Sequence, residues 1–214
     1  MDYAVEGSYK AGKYSGLITT VAAGTATAGH LWAARWSVPA ATALTDKRRV
    51  AVLQRLRIRA KTIAGFTAAQ EFQLALFKLT GYTAAHTGGT AEVPEKKFTG
   101  ITPTLMPAPL MTIRIAAAAE LTAGTHTIGT DPIASDSFAE LAAGAAVPKG
   151  GVEIFLSTED LIQHPIMLVD GEGLLVRNEV LMGAAGTVRL CVEMDWHELQ
   201  RYPVGTYNVA KSVI

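Results

Sequence analysis

The chain holds one cysteine, Cys191. A lone cysteine excludes an intramolecular disulfide framework and any zinc site built on several thiolates. Cys191 is read instead as a small residue on a strand. Charge is also scarce: Asp, Glu, Lys and Arg make up 18% of the 214 residues, below the usual share of about 25%. Nineteen Lys+Arg balance nineteen Asp+Glu, so the basic excess typical of polyanion-binding chains is missing. Nucleic acid is therefore disfavoured as the main partner. A surface near neutrality resists association poorly, which points to a subunit of an assembly. No apolar run reaches the roughly 18 residues of a membrane-spanning helix, so no membrane partner is expected. The start, Met1-Asp2-Tyr3-Ala4-Val5-Glu6, lacks the basic and apolar regions of a signal peptide. Synthesis in a cytoplasm as a soluble chain is expected.

Catalytic signatures are lacking too. There is no Gly-x-Ser-x-Gly elbow, no P-loop and no His-Glu-x-x-His. The glycine-containing run 24–29 has no phosphate-loop lysine and reads as a loop. No catalytic residue, cofactor site or metal site is assigned, and an enzyme is not expected.

Hydrophobic residues, by contrast, reach 49%, ample for a core in one domain. Alternation of period two is the dominant pattern. From Thr187 to His197, residues Val188, Leu190, Val192, Met194 and Trp196 share one face. Arg189, Cys191, Glu193, Asp195 and His197 share the other, as on a strand with one buried face. From Arg49 to Lys61, residues Val50, Val52, Leu56, Ile58 and Ala60 share a face, with Gln54 as the exception. Arg55, Arg57, Arg59 and Lys61 line the opposite face. Glu71–Leu79 reads as a strand despite a preceding Ala-Ala-Gln-Glu that favours helix. Further strands are expected at Leu17–Ala22, His30–Val38, Met111–Ala117, Val152–Leu156, Ile166–Val169 and Leu174–Leu181. Asp170-Gly171-Glu172-Gly173 reads as a tight hairpin turn between the last two, and residues 182–186 as a second hairpin loop. Ser157-Thr158-Glu159-Asp160 resembles a capping-box start for a short helical turn ending near His164-Pro165. Asp136–Ala143 is expected to form about two turns of helix.

Eight or nine strands joined by turns and one long loop predict an all-β antiparallel fold, a sandwich or a jelly roll, with extended N- and C-terminal arms. Residues 1–29 are weakly patterned and read as an N-terminal arm, 30–199 as the sandwich and 200–214 as a C-terminal tail. A long loop, 83–110, carries Gly88-Gly89, Pro94, Pro103, Pro107 and Pro109. Such loops are usually functional, disordered or packed on a partner.

Several constellations can be weighed for chemistry. Glu193, Asp195 and His197 share a strand face and suit a metal by ligand type. Their spacing of roughly 6.5–7 Å per two residues favours a solvated or interfacial polar face, on which Arg189 balances the acids. The row Arg55, Arg57, Arg59 and Lys61 reads as a solvated face or a salt-bridge network between subunits. His164 reads as a loop residue. His30, His86 and His126 lie near Gly/Thr turns without partners at ligand spacing. Trp32, Trp36 and Trp196 suit core or subunit packing better than a sugar platform.

Two groups of segments occur in order along residues 30–198. The first is Leu31-Trp32-Ala33-Ala34-Arg35-Trp36, Val52-Leu53-Gln54-Arg55-Leu56-Arg57-Ile58 and Phe66-Thr67-Ala68-Ala69-Gln70-Glu71. The second is Met111 to Ala117, Leu121 to Thr127, Glu172 to Asn178 and Gly186 to Trp196. This series resembles virion proteins of tailed bacteriophages of the capsid decoration (cement) or minor structural type.

The resemblance implies a jelly-roll-like sandwich on the virion head surface. It acts there without enzymatic activity or cofactor, bridging subunits of the major capsid protein as a homotrimer. Under that reading Tyr3, Tyr9, Lys10, Lys13, Tyr14, Arg55, Arg57, Arg59, Pro103, Pro107, Pro109 and Tyr207 are the candidate partner-binding residues. The arms would wrap neighbouring subunits at an entropic cost. The alternatives are a neck or tail adaptor, a fibre-base protein, and a carbohydrate-binding sandwich using exposed tryptophans.

Overall fold

The computed structural model describes residues 3–18, 29–38, 49–96, 110–117, 119–140, 151–180 and 186–201. Two antiparallel sheets pack against each other and form an all-β sandwich. The first contains β1 (Tyr3–Ile18), β3 (Arg49–Ala64), β6 (Glu95–Lys96), β10 (Gly151–Leu156), β11 (Met167–Leu168) and β13 (Thr187–Arg201). The second contains β2 (Gly29–Trp36), β4 (Gln70–Ala84), β5 (Thr90–Glu92), β7 (Met111–Ile115), β8 (Thr125–Ile128), β9 (Ala134–Glu140) and β12 (Gly173–Asn178). One short helix, α1 (Thr158–Gln163), precedes β11. No helix among the described residues is long and apolar enough to cross a membrane.

The strand order is that of a jelly roll. The run β1-β13-β3-β10 in one sheet faces β2-β12-β4-β8 in the other. The chain changes sheet at each step from β1 to β4 and again from β11 through β12 to β13. Each sheet is thus assembled from segments distant in sequence, and neither half can bury its apolar face alone. Between the sheets lie Trp32, Trp36, Trp196, Tyr9, Phe72, Leu56 and Ile58, all essentially inaccessible.

Strands β3 and β13 show how the pattern folds. Val188, Leu190, Val192, Met194 and Trp196 are buried as their alternation predicts. Across from them, Asp195 pairs with Arg55 but Trp196 pairs with Leu53. Gln54 is the extra residue of a β-bulge, which resets the alternation. On its N-terminal side the buried residues are Leu53 and Ala51, with Val50, and not Val52. The expected face of β3 is correct beyond the bulge and out of phase before it.

Strand β1 replaces most of the N-terminal arm. Tyr3–Ile18 lies between β13 and β6 and pairs with β13 along most of its length. Gly7, Tyr9 and Ala11 are its inward positions. Two of these are too small to raise a hydropathy signal, and register shifts at Val5/Gly7 and Tyr14/Leu17 interrupt the period. At the other end β13 runs to Arg201, so the expected tail begins inside a strand. The loop expected over 83–110 holds the end of β4 with β5 and β6, and residues 97–109 lie outside the described part.

Asp136–Ala143 is strand rather than helix as far as Glu140: β9 pairs with β4 and places Phe138 on Phe72, ring centroids 5.3 Å apart. Beyond Glu140 the expected helix lies outside the described residues. The competition at Glu71–Leu79 resolves as strand β4, because Phe72, Leu74 and Leu76 fill the core on one face.

Asp170-Gly171 does form a turn, with Gly171 at φ +78°, a conformation glycine adopts without steric cost. It does not close a hairpin: β11 pairs with β3 in the first sheet and β12 with β2 and β4 in the second. The turn crosses the edge of the sandwich. It is fixed there by Tyr82 N donating to Gly171 O at 2.8 Å and Val38 N donating to Asp170 Oδ1 at 2.9 Å. The hairpin loop expected at 182–186 lies almost wholly outside the described residues, and the strands on either side of it, β12 and β13, belong to different sheets. The capping box of α1 is present as expected: Ser157 Oγ accepts from Asp160 N at 3.2 Å, and Asp160 Oδ2 accepts from Ser157 N at 3.0 Å.

Candidate functional site

The arginine row is the first candidate, and carboxylates of its own chain pair with Arg55, Arg57 and Arg59. Arg55, Arg57 and Arg59 alternate with buried Leu56 and Ile58 and so stand on the outer face of the first sheet. Arg55 Nε lies 3.4 Å from Asp195 Oδ2, and Arg59 Nη2 lies 2.7 Å from Glu193 Oε1. Arg57 pairs with Glu153 and places its guanidinium over the Phe155 ring, 5.8 Å from the centroid. Lys10 reaches Glu95 at 3.4 Å. The exposed pairs of Arg57 with Glu153 and Lys10 with Glu95 each contribute about 0–1 kcal/mol, whereas Asp195, the partner of Arg55, is itself buried. Glu193 and Asp195 meet guanidinium groups, and the balance expected from Arg189 comes from the neighbouring strand.

The other sequence candidates divide simply. Tyr9 is a core residue, stacked on Trp196 with ring centroids 5.8 Å apart. Tyr3, Lys13 and Tyr14 belong to β1. Pro103, Pro107, Pro109 and Tyr207 lie outside the described residues. All three tryptophans are buried, so none presents a ring face to a sugar. Cys191 is buried, and Arg59 Nη2 approaches its Sγ at 3.5 Å.

The second candidate is a cluster that sequence spacing does not reveal. His30 opens β2, His86 follows β4 and His126 sits in β8. Their candidate ligand nitrogens all lie within 4.8 Å of one another. His30 Nδ1 and His86 Nε2 are 2.9 Å apart. The rings of His86 and His126 stack, centroids 4.8 Å apart and 23° from parallel. Tyr82 lies edge-on to both, and its hydroxyl is hydrogen-bonded to His86 Nδ1. His86 N also donates to Tyr82 Oη at 3.3 Å.

Backbone contacts bring the three together. Leu121 N donates to His30 O at 2.8 Å. Thr87 and Thr122 exchange both backbone hydrogen bonds, at 3.1 and 3.0 Å, and tie the segment after His86 to the segment before His126. Gly124 permits this approach, since a Cβ there would stand 2.0 Å from Ala84 O.

Burial holds these imidazoles neutral. It pushes the His86 pKa down to about 3, assisted by His30 and His126. His30 falls to about 4, again chiefly by burial, with His126 and Arg177 adding to the effect and Glu179 opposing it. His126 is lowered by burial as well, and burial raises Tyr82. Three neutral imidazoles with converging nitrogens are the ligand form of histidine. Among the described residues this is the one group of three or more His, Cys, Asp or Glu side chains arranged to share an ion. The nearby Gly and Thr residues mark turns in the sequence, but nothing there indicates that positions 30, 86 and 126 meet.

No protein-family model, curated protein or solved structure matches the chain.

Proposed function

We propose that the chain is a structural subunit of a tailed-bacteriophage virion. It is a head decoration protein that binds the lattice of the major capsid protein as a trimer. The observation that supports this most is the jelly-roll strand order. It is built on β2, β3, β7, β12 and β13, the strands that carry the resemblance to such proteins. Jelly rolls recur in viral capsid, lectin and cupin domains, and a fold alone does not choose among functions. The resemblance makes that choice here, and the burial of Trp32, Trp36 and Trp196 removes the sugar platform that would favour a lectin.

In this reading the sandwich is a rigid plug. Its charged lattice is paired internally, so contacts to the capsid fall on side chains such as Phe155, Ile162 and Val169, which are apolar and exposed. Stabilisation follows from mass action: a protein that binds assembled lattice better than free subunits shifts assembly towards the lattice. Many copies multiply a modest contact energy.

Quantitative mass spectrometry of purified virions tests the proposal. Hundreds of copies, counted against the major capsid protein, are expected for a decoration subunit. A count of about six to twenty would instead assign the chain to the neck, tail or fibre base. Absence from the particle would end the virion reading.

A further inference from the structure

We propose that His30, His86 and His126 bind a divalent late transition-metal ion, zinc in the first place, as a structural cross-link. The ion would join the start of β2, the segment after β4 and strand β8. This inference does not depend on the virion reading.

Geometry is the first support. Zinc binds imidazole nitrogen at about 2.0–2.1 Å, which sets nitrogen–nitrogen separations of about 3.3 Å in a tetrahedral site. The separations here run from 2.9 Å for His30 and His86 up to the 4.8 Å limit of the cluster. They bracket the required value, and small χ rotations close the difference.

The second support is an orphan atom. His126 Nδ1 is buried and meets no hydrogen-bond partner among the described residues. A buried polar atom without a partner is costly and calls for an explanation. Coordination would satisfy it.

The third is orientation. A metal-binding histidine typically donates its remote ring N–H to a fixed acceptor, which sets its tautomer. Tyr82 occupies that place at His86 Nδ1, leaving His86 Nε2 to face the cluster. Without metal, one proton bridges His30 Nδ1 and His86 Nε2. With metal, His30 carries that proton on its outer nitrogen and ligates through Nδ1, so no net proton is lost.

The donor set selects the ion. Magnesium and calcium require oxygen ligands, and this site offers nitrogen. Imidazole suits zinc, copper, nickel and cobalt. Among nearby cations, Arg177 donates from Nη2 to Glu179 Oε2 at 2.9 Å, and Arg35 donates from Nε to Tyr82 O at 2.8 Å. Neither is a bare charge facing the ion. A cross-link between segments this distant in sequence removes freedom chiefly from the unfolded chain.

The test uses the full chain, stripped with a chelator, dialysed against zinc and assayed by elemental analysis. One zinc per chain is expected, with a rise in Tm of several degrees that a chelator reverses. Cobalt(II) substitution should give the intense visible bands of a tetrahedral nitrogen site. His126→Gln, checked for folding by circular dichroism, should bind zinc at least tenfold more weakly and lose the Tm rise. His164→Gln, at an exposed histidine outside the cluster, should bind as the parent does. The proposal is overturned by a folded parent protein that retains no stoichiometric zinc and gives no cobalt bands. Unchanged binding in His126→Gln would overturn it equally.

Discussion

Deletion of residues 1–18 is expected to abolish cooperative folding rather than to leave a folded body without an arm. Strand β1 covers one side of β13 from Tyr3↔Arg201 to Ile18↔Val188 and receives β6 on its other side. Its removal would leave β13, a strand of 15 residues, as an open edge of the first sheet, a template for aggregation. It would also uncover Trp196, on which Tyr9 stacks. The point variant Tyr9→Ala isolates the packing part of this effect. A fully buried aromatic replaced by alanine costs about 3–5 kcal/mol, which lowers Tm by about 10 °C in a domain of this size. Thermal and urea unfolding followed by circular dichroism measure both variants. A truncated protein that melts cooperatively at the parental Tm would show β1 to be dispensable.

Gly124→Ala is expected to damage stability and the histidine cluster together. The added methyl would stand 2.0 Å from Ala84 O, 2.9 Å from Ala85 C and 3.0 Å from His86 N. All three atoms are backbone, so no side chain can rotate away. Relief requires β8 and the segment before it to separate from the end of β4, which carries His126 away from His86. Forced overpacking costs about 1–3 kcal/mol, and rigid surroundings place this site at the upper end. If the cluster holds zinc, its affinity should fall at least tenfold, as when the groups that orient metal ligands are lost. Urea unfolding in chelator gives the first quantity and zinc titration of the folded fraction gives the second. Parental values for both would contradict the close backbone approach at Gly124.

How much of this was legible depended on the local contrast between faces. Strand β13 can be read residue by residue because Val188 to Trp196 alternate with Arg189, Cys191, Glu193 and Asp195, so that one face fills the core and the other meets the arginines of β3. In β3 the alternation matches the buried face beyond Gln54 and is out of phase before it. A bulge is a property of strand pairing, and a single strand does not display it. Strand β1 escaped because glycine and alanine occupy two of its inward positions, where the space belongs to Tyr9 and to the strands alongside.

Turn chemistry identified Asp170-Gly171 correctly. Which sheets the flanking strands join is decided by partners far along the chain. The histidine cluster lies beyond local reading for the same reason. His30 and His86 are 56 residues apart, and the jelly-roll wrap is what brings them together. Conversely, the arginine row was conspicuous in sequence, yet its partners Glu153, Glu193 and Asp195 come from neighbouring strands of the same chain.

The virion reading is tested most directly by co-sedimentation of the purified protein with capsids that lack it, beside the same capsid protein in unassembled form. Saturable binding to the assembled lattice is expected, at least tenfold tighter than to free subunits, since only a difference between the two states can stabilise the head. Equal binding to both forms, or no binding to the lattice, would contradict a decoration role.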